Sequence, residues 1–355
     1  MNLERVDKIA EAVLYEGYML YPYRASAVKN QQRWNFGLIC PRSYSERQNG
    51  SDAWIMQTQC LVEGNASTRL NVKIRFLQIV DRSIARLPHP ARELPSGNGT
   101  EFEFVDALRI GGRSVAPWQE AVEREVEVPS LHPTALSQPQ PLMFNVPCGR
   151  TLEPLRDEEG LIAGVVIREW KTLSGSVEIA AEQCRNEVMK ITVLIRNLTS
   201  SRSDQNRAEV LMYSLASAHT ILCVEDGRFV SLLDPPEDLK NLTAECSNLG
   251  TWPVLVGEAG DRDTMLSSPI ILYDYPQIAP ESPGSLFDGT EIDEILSLRI
   301  LTMTDDEKDE MRQSDERARQ ILERTENMPP EHFMKLHGVL RGLRPLNCET
   351  NKEAQ

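Results

Sequence analysis

The sequence is poor in the arrangements that hold metals and phosphates. Its 355 residues include five histidines and no Cys-x-x-Cys pair. His89, His132, His219, His332 and His337 form no His-x-His and no pair four apart. His332 and His337, five apart, would point about 140° away from each other on a helix. No metal site is therefore expected. Neither Gly-x-Gly-x-x-Gly nor Gly-x-x-x-x-Gly-Lys-Ser/Thr occurs, which removes the two common glycine cradles for nucleotides, and no cofactor is expected. No stretch approaches the roughly 18 consecutive apolar residues that cross a bilayer. The first twenty residues, MNLERVDKIAEAVLYEGYML, interleave charges with apolar positions, unlike an export signal. A cytoplasmic protein without a membrane span is expected.

Positive charge is also scarce: 38 Lys and Arg stand against 53 Asp and Glu, a net charge of -15. The summed field opposes a polyanion, so only a local basic patch could bind nucleic acid. Seven cysteines, at 40, 60, 148, 184, 223, 246 and 348, are odd in number and widely spaced, and read as reduced core thiols. The Asn-x-Ser/Thr matches at Asn65, Asn98, Asn197 and Asn241 need a secreted chain to matter, and are read as chance.

Apolar material is ample, with 41% hydrophobic residues. Val6, Ile9, Val13 and Leu14 recur at helical spacing, so an amphipathic helix opens the chain. WNFGLIC, AWIMQTQCLVEG and RLNVKIRFLQIV, rich in β-branched and aromatic residues and separated by turn signals, predict three strands between Trp34 and Val80. Residues 86–160 hold many prolines and predict long ordered loops around weak strands at EFEFVDALRI and AVEREVEV. LIAGVVIREWKTL, GSVEIAAEQ and VMKITVLIRNLT give the clearest β signal. SRSDQNRAEV then opens a helix through Leu215, and TILCVEDGRFVSLL predicts a hairpin turning at Asp226-Gly227. DGTE and TDDE match the capping-box pattern, with Asp288 or Thr290 and then Thr304 as N-caps, and MPPEHFMKLHG predicts a last short helix. Two segments echo each other: from Gln59 and from Gln183 the chain runs Gln-Cys, a polar turn, then a strand with interleaved basic residues.

The fold expected is α+β: a β-sandwich-like body with an α/β to helical C-terminal part. Residues 1–29 are expected to form a helix and aromatic-basic segment, 30–200 the sandwich with its Pro-rich loops, 201–345 the α/β and helical C-terminal region, and 346–355 a disordered tail.

Two stretches stand out. LYPYRASAVKNQQRWNFG, residues 20–37, carries Tyr21, Tyr23, Trp34 and Phe36 with Arg24, Lys29 and Arg33, and no acid. Rings among cations suit single-stranded nucleic acid. They equally suit a protein hot spot, where Tyr, Trp and Arg are enriched. A third reading makes the rings core and pairs the cations with the chain's own acids. The second stretch, residues 267–296, sets Tyr273 and Tyr275 around Asp274 and gathers Asp288, Glu291, Asp293 and Glu294 at a helix start, where acids stabilise the positive end of the dipole. Glu281 to Glu326 holds 14 acidic against 6 basic residues, about half the net charge, which also describes a solvated face. For covalent catalysis, Cys223 with His219 and Asp226, or Cys148 in FNVPCG, could supply the thiol of a hydrolase or transferase. Against this, Cys223 reads as a buried strand residue.

EGYMLYPYRASAVKNQQRWNFGLICP and SPIILYDYPQIAPESPGSLFDGTEIDEILSLRILTMTDDEK, about a fifth of the chain, resemble segments of a bacterial family encoded beside oxygen-tolerant nickel-iron hydrogenases of the actinobacterial type. The resemblance implies an assembly, maturation or stabilising factor for such a hydrogenase, with a hydrogenase subunit or another maturation protein as partner. It implies neither hydrogenase subunit, since the large one needs two separated Cys-x-x-Cys pairs and the small one many cluster cysteines. Docking would use Tyr21, Tyr23, Arg24, Lys29, Arg33 and Trp34 on one surface and Tyr273, Asp274, Asp288, Glu291 and Asp293 on another. Because these are opposite in charge, pairing within the fold or across a homodimer stays open.

Overall fold

A computed structural model describes residues 37–94, 102–202, 204–277, 297–298, 300–314 and 316–329, together with Val6, Ile9, Ala10, Leu14 and Glu331. Its centre is one strand of unusual length. β1 (Ile55–Ala91) runs 37 residues, where strands commonly have 3–10. Twelve others follow: β2 (Glu103–Phe104), β3 (Leu108–Ile110), β4 (Arg113–Val115), β5 (Trp118–Leu131), β6 (Gln140–Val146), β7 (Gly149–Arg156), β8 (Ile162–Trp170), β9 (Leu173–Arg185), β10 (Val188–Asn197), β11 (Ala216–Phe229), β12 (Trp252–Leu255) and β13 (Thr264–Ser268).

Every pairing is antiparallel, and all strands but β3 and β4 share one sheet. Val62 and Glu63 pair with both β10 and β11, while Asp81 and Arg82 pair with both β5 and β8. Along one edge of β1, then, β10 gives way to β5; along the other, β11 gives way to β8. β12 and β13 extend the sheet beyond β11, and a bridge between Gln57 and Leu249 brings the chain before β12 back to the start of β1. Met56, Cys60 and Val62 from the first part of β1 and Leu70, Val72, Ile74 and Phe76 from the second point into one apolar interior with β9, β10 and β11. The sheet therefore bends around its own core, and the expected β-rich body is this bent sheet.

Helices cover the outside. Val6, Ile9 and Ala10 pack on Ile221, Cys223, Val254 and Leu266, and Leu14 on Leu77, Ile79 and Ala216, as their helical spacing requires. Val13 lies outside the described residues. α1 (Arg42–Arg47), α2 (Arg207–Leu211) and α3 (Lys240–Ala244) are short; α4 (Asp305–Ser314) and α5 (Glu316–Glu326) share a small core of Ile300, Met303, Met311, Ile321 and Leu322. Thr304 and Glu307 exchange the expected capping-box bonds. Those at Asp288 or Thr290, and the helix at MPPEHFMKLHG apart from Met328, Pro329 and Glu331, lie outside the described residues. No helix among the described residues is long and apolar enough to cross a membrane.

Several expectations change. AWIMQTQCLVEG and RLNVKIRFLQIV belong to one strand, because residues 65–68 bulge out without reversing the chain. The Asn65 N–H donates to Thr68 Oγ1 (2.8 Å), and Thr68 Oγ1 donates to the Asp226 carbonyl (2.7 Å). Asp226-Gly227 likewise makes no hairpin: Asp226 takes φ 51° opposite that bulge, and β11 continues through it. Gly37–Cys40 contributes only an Ile39–Leu215 bridge. The helix at Arg207 stops at Leu211, its start fixed by reciprocal bonds between Asn206 and Glu209. Much of the proline-rich region is strand, for a positional reason. Pro129, Pro141 and Pro154 sit in β5, β6 and β7, each of which pairs with a single neighbour, so a missing N–H can face away from the ladder. The boundary expected at residue 200 falls inside the sheet, since β11 to β13 join β1.

Candidate docking surface

β12 is an edge strand, and exposed edges invite pairing with other chains. Pro253 removes one donor from it, and the segment after β13 folds back over its end. The Leu255 N–H donates to Asp274 Oδ1 (2.8 Å), and the Tyr275 N–H donates to the Leu255 carbonyl (2.7 Å). Asp274 Oδ2 accepts from the Ser231 hydroxyl, whose oxygen accepts in turn from the Leu233 and Asp234 N–H groups. One carboxylate thus ties three segments together. Leu272 anchors the same stretch in the apolar cluster beneath the N-terminal helix.

This clamp holds large apolar side chains out in solvent. Tyr273 is 84% exposed and Ile271 70% exposed. Leu233, one bond from the clamp, and Trp252, at the start of β12, are also exposed. Single exposed apolar residues are ordinary; several on the segments that Asp274 ties together make this a candidate contact surface. Of the residues proposed for docking from the sequence, Tyr273 stands on this surface and Asp274 supports it from within. Tyr21, Tyr23, Arg24, Lys29, Arg33, Trp34, Asp288, Glu291 and Asp293 lie outside the described residues.

The cysteines are placed unlike a catalytic set. Cys223 is buried, and His219, also buried, lies four residues earlier on the same strand, about 13 Å away at strand rise. Asp226 is exposed at the bulge, where its backbone carbonyl accepts from Thr68 Oγ1. The triad drawn from sequence closeness is therefore not assembled. Cys148 is exposed between β6 and β7, its N–H donating to Thr172 Oγ1 (3.1 Å). Burial pushes the Cys40 thiol up to about 11, away from the reactive thiolate. Among the described residues no three His, Cys, Asp or Glu side chains converge as metal ligands would.

Ion pairing, by contrast, is extensive among β1 and its neighbours β5 and β8. Lys73 and Arg75 of β1 face Glu127 and Glu125 of β5, and Arg75 also reaches Glu123 (2.9 Å). Arg82 Nη1 meets Glu120 (3.0 Å), which Arg168 Nε shares (2.6 Å) while its Nη1 holds Glu153. Basic residues spaced by two in KIRFLQIVDR against acids spaced by two in VEREVEV were the available signal. Comparison with protein-family models and with curated protein sequences found no match.

Proposed function

We propose that the protein is a non-catalytic accessory factor that docks another protein, serving the assembly, maturation or stabilisation of a nickel-iron hydrogenase. The observation that carries docking is the Asp274 clamp with Tyr273 and Ile271 held outside it. A backbone held on one side by Asp274 and Tyr275 loses little conformational freedom on binding, which favours the exposed Tyr273 as a hot spot. The hydrogenase as partner rests on the resemblance of the two quoted stretches, the second of which contains this clamp.

The test is binding of the full chain to purified, cofactor-free large and small subunits of an actinobacterial-type hydrogenase, followed by titration calorimetry. The wild type binds one of them, and Tyr273→Ser with Ile271→Ser lowers affinity about 30-fold, the loss of roughly 2 kcal/mol from one aromatic anchor. Binding unchanged by the double substitution removes this surface; no binding to either subunit removes the hydrogenase. Arg24→Glu and Asp288→Arg, separately and together, address the charged stretches: recovery in the double variant assigns them to each other, independent losses to a partner.

A further inference from the structure

Six cysteines are described, and two of them share one small environment on the outer face of the sheet. Cys184 is the extra residue of a bulge in β9, where Gln183 pairs with Met189 and Arg185 with Val188. Cys246 follows α3. Both pack against the cluster of Leu61, Val188, Val230 and Leu239. The segment carrying α3 is fastened on either side of them. Arg185, next to Cys184, bonds Asp238 before the helix. Ser247, next to Cys246, donates its N–H to Gln59 Oε1 (2.7 Å), and Asn248 Oδ1 accepts from the Gln59 N–H (2.7 Å).

Cys184 Sγ donates to the Glu182 carbonyl and is also hydrogen-bonded by the Lys190 backbone, and Cys246 Sγ donates to the Leu242 carbonyl. Lys190, ion-paired to Glu182 at 2.8 Å, lies on the same face as both. We propose that Cys184 and Cys246 are a closable dithiol, joined by exchange with a low-molecular-weight disulfide so that α3 becomes covalently tied to the bulge of β9. Cys184, at the strand bulge, attacks first as its thiolate: a bond forms between its sulfur and one sulfur of the small disulfide, and the other leaves as thiolate. The Cys246 thiolate then attacks Cys184 Sγ and expels the second small thiol. Two protein thiols are oxidised, one small disulfide is reduced, and the two protons end on the released thiols.

Burial raises both cysteines above the ordinary value, Cys246 to about 11, while the neighbouring Lys190 ammonium pulls against it. Thiols kept protonated exchange slowly and give up their disulfide reluctantly, the opposite of an oxidising catalytic pair. Closure is therefore a durable lock on the β11–β12 connection.

The experiment incubates the folded full chain with excess oxidised glutathione at pH 8 and maps disulfides without reduction. A Cys184–Cys246 link that is absent from both Cys184→Ser and Cys246→Ser is expected. Lys190→Met slows closure about threefold, since losing the ammonium leaves less thiolate and the gain in nucleophilicity offsets this only in part. Links to Cys60, or glutathione remaining on Cys184 or Cys246 in the wild type, overturn the proposal. A chain that stays fully reduced at both positions overturns it as well.

Discussion

Gln59-Cys60 and Gln183-Cys184 open two segments of similar chemistry that end in opposite geometries. After Cys184, Asn186 and Glu187 reverse the chain, Glu187 at φ 60°, and β10 returns beside β9. After Cys60 the chain meets Glu-Gly-Asn-Ala-Ser-Thr, richer still in turn residues, and goes straight on. The reason lies in the neighbours. At Val62 and Glu63 both edges of β1 are already occupied, by β10 and β11, so a reversal there would strip two ladders at once. The surplus residues are extruded as a bulge and pinned by Thr68 to Asp226. Turn residues permit a positive φ; the surrounding ladder decides whether that becomes a hairpin or a bulge.

The contrast can be broken at several points. Gly64→Val should cost most, about 3 kcal/mol in chemical denaturation, because a Cβ there lies 2.3 Å from Thr68 Oγ1 and the bulge cannot close. The same β1–β11 ladder makes a second adjustment between Arg75 and Leu77, beside His219. Burial, with the Arg75 charge adding to it, lowers the His219 pKa from 6.5 to about 4, against the opposing pull of the Ser217 carbonyl. The unfolded chain therefore binds the extra proton between those values. Its share of stability, about 3 kcal/mol, is complete above pH 6.5 and is lost as pH falls toward 4. His219→Asn should flatten that part of the pH profile while Gly64→Val leaves its slope intact. The smallest effect belongs to the true hairpin: Glu187→Gly should stabilise by about 1 kcal/mol, by relieving a left-handed residue that has a side chain. A matching loss there would show that the Glu187 side chain holds the turn.

Strand content was legible in the β-branched runs, and the N-terminal helix in the spacing of Val6, Ile9 and Leu14. Continuity was not, because Gly64–Thr68 and Asp226-Gly227 carry real turn chemistry that long-range pairing redirects. Nor were β6 and β7, whose prolines signal loop unless one knows that they lie on edges, while β5 showed only as the weak strand AVEREVEV. At the candidate docking surface, Tyr273 and Asp274 stand out in the sequence only as a composition. Their separate parts, one projecting and one bracing, depend on Ser231 and Leu255, some 20 to 40 residues away in sequence.

The length of β1 has a consequence for how the protein is made. Its bonds reach far along the chain, as Arg228 to Glu63 across 165 residues. A ribosome adding about 5–20 residues per second leaves β1 waiting on the order of ten seconds for β11. During that interval a long apolar edge is open to any other nascent strand. Folding of this sheet is slow by topology, and the yield of soluble protein should respond to synthesis rate and to chaperone supply more than to the stability of the finished molecule.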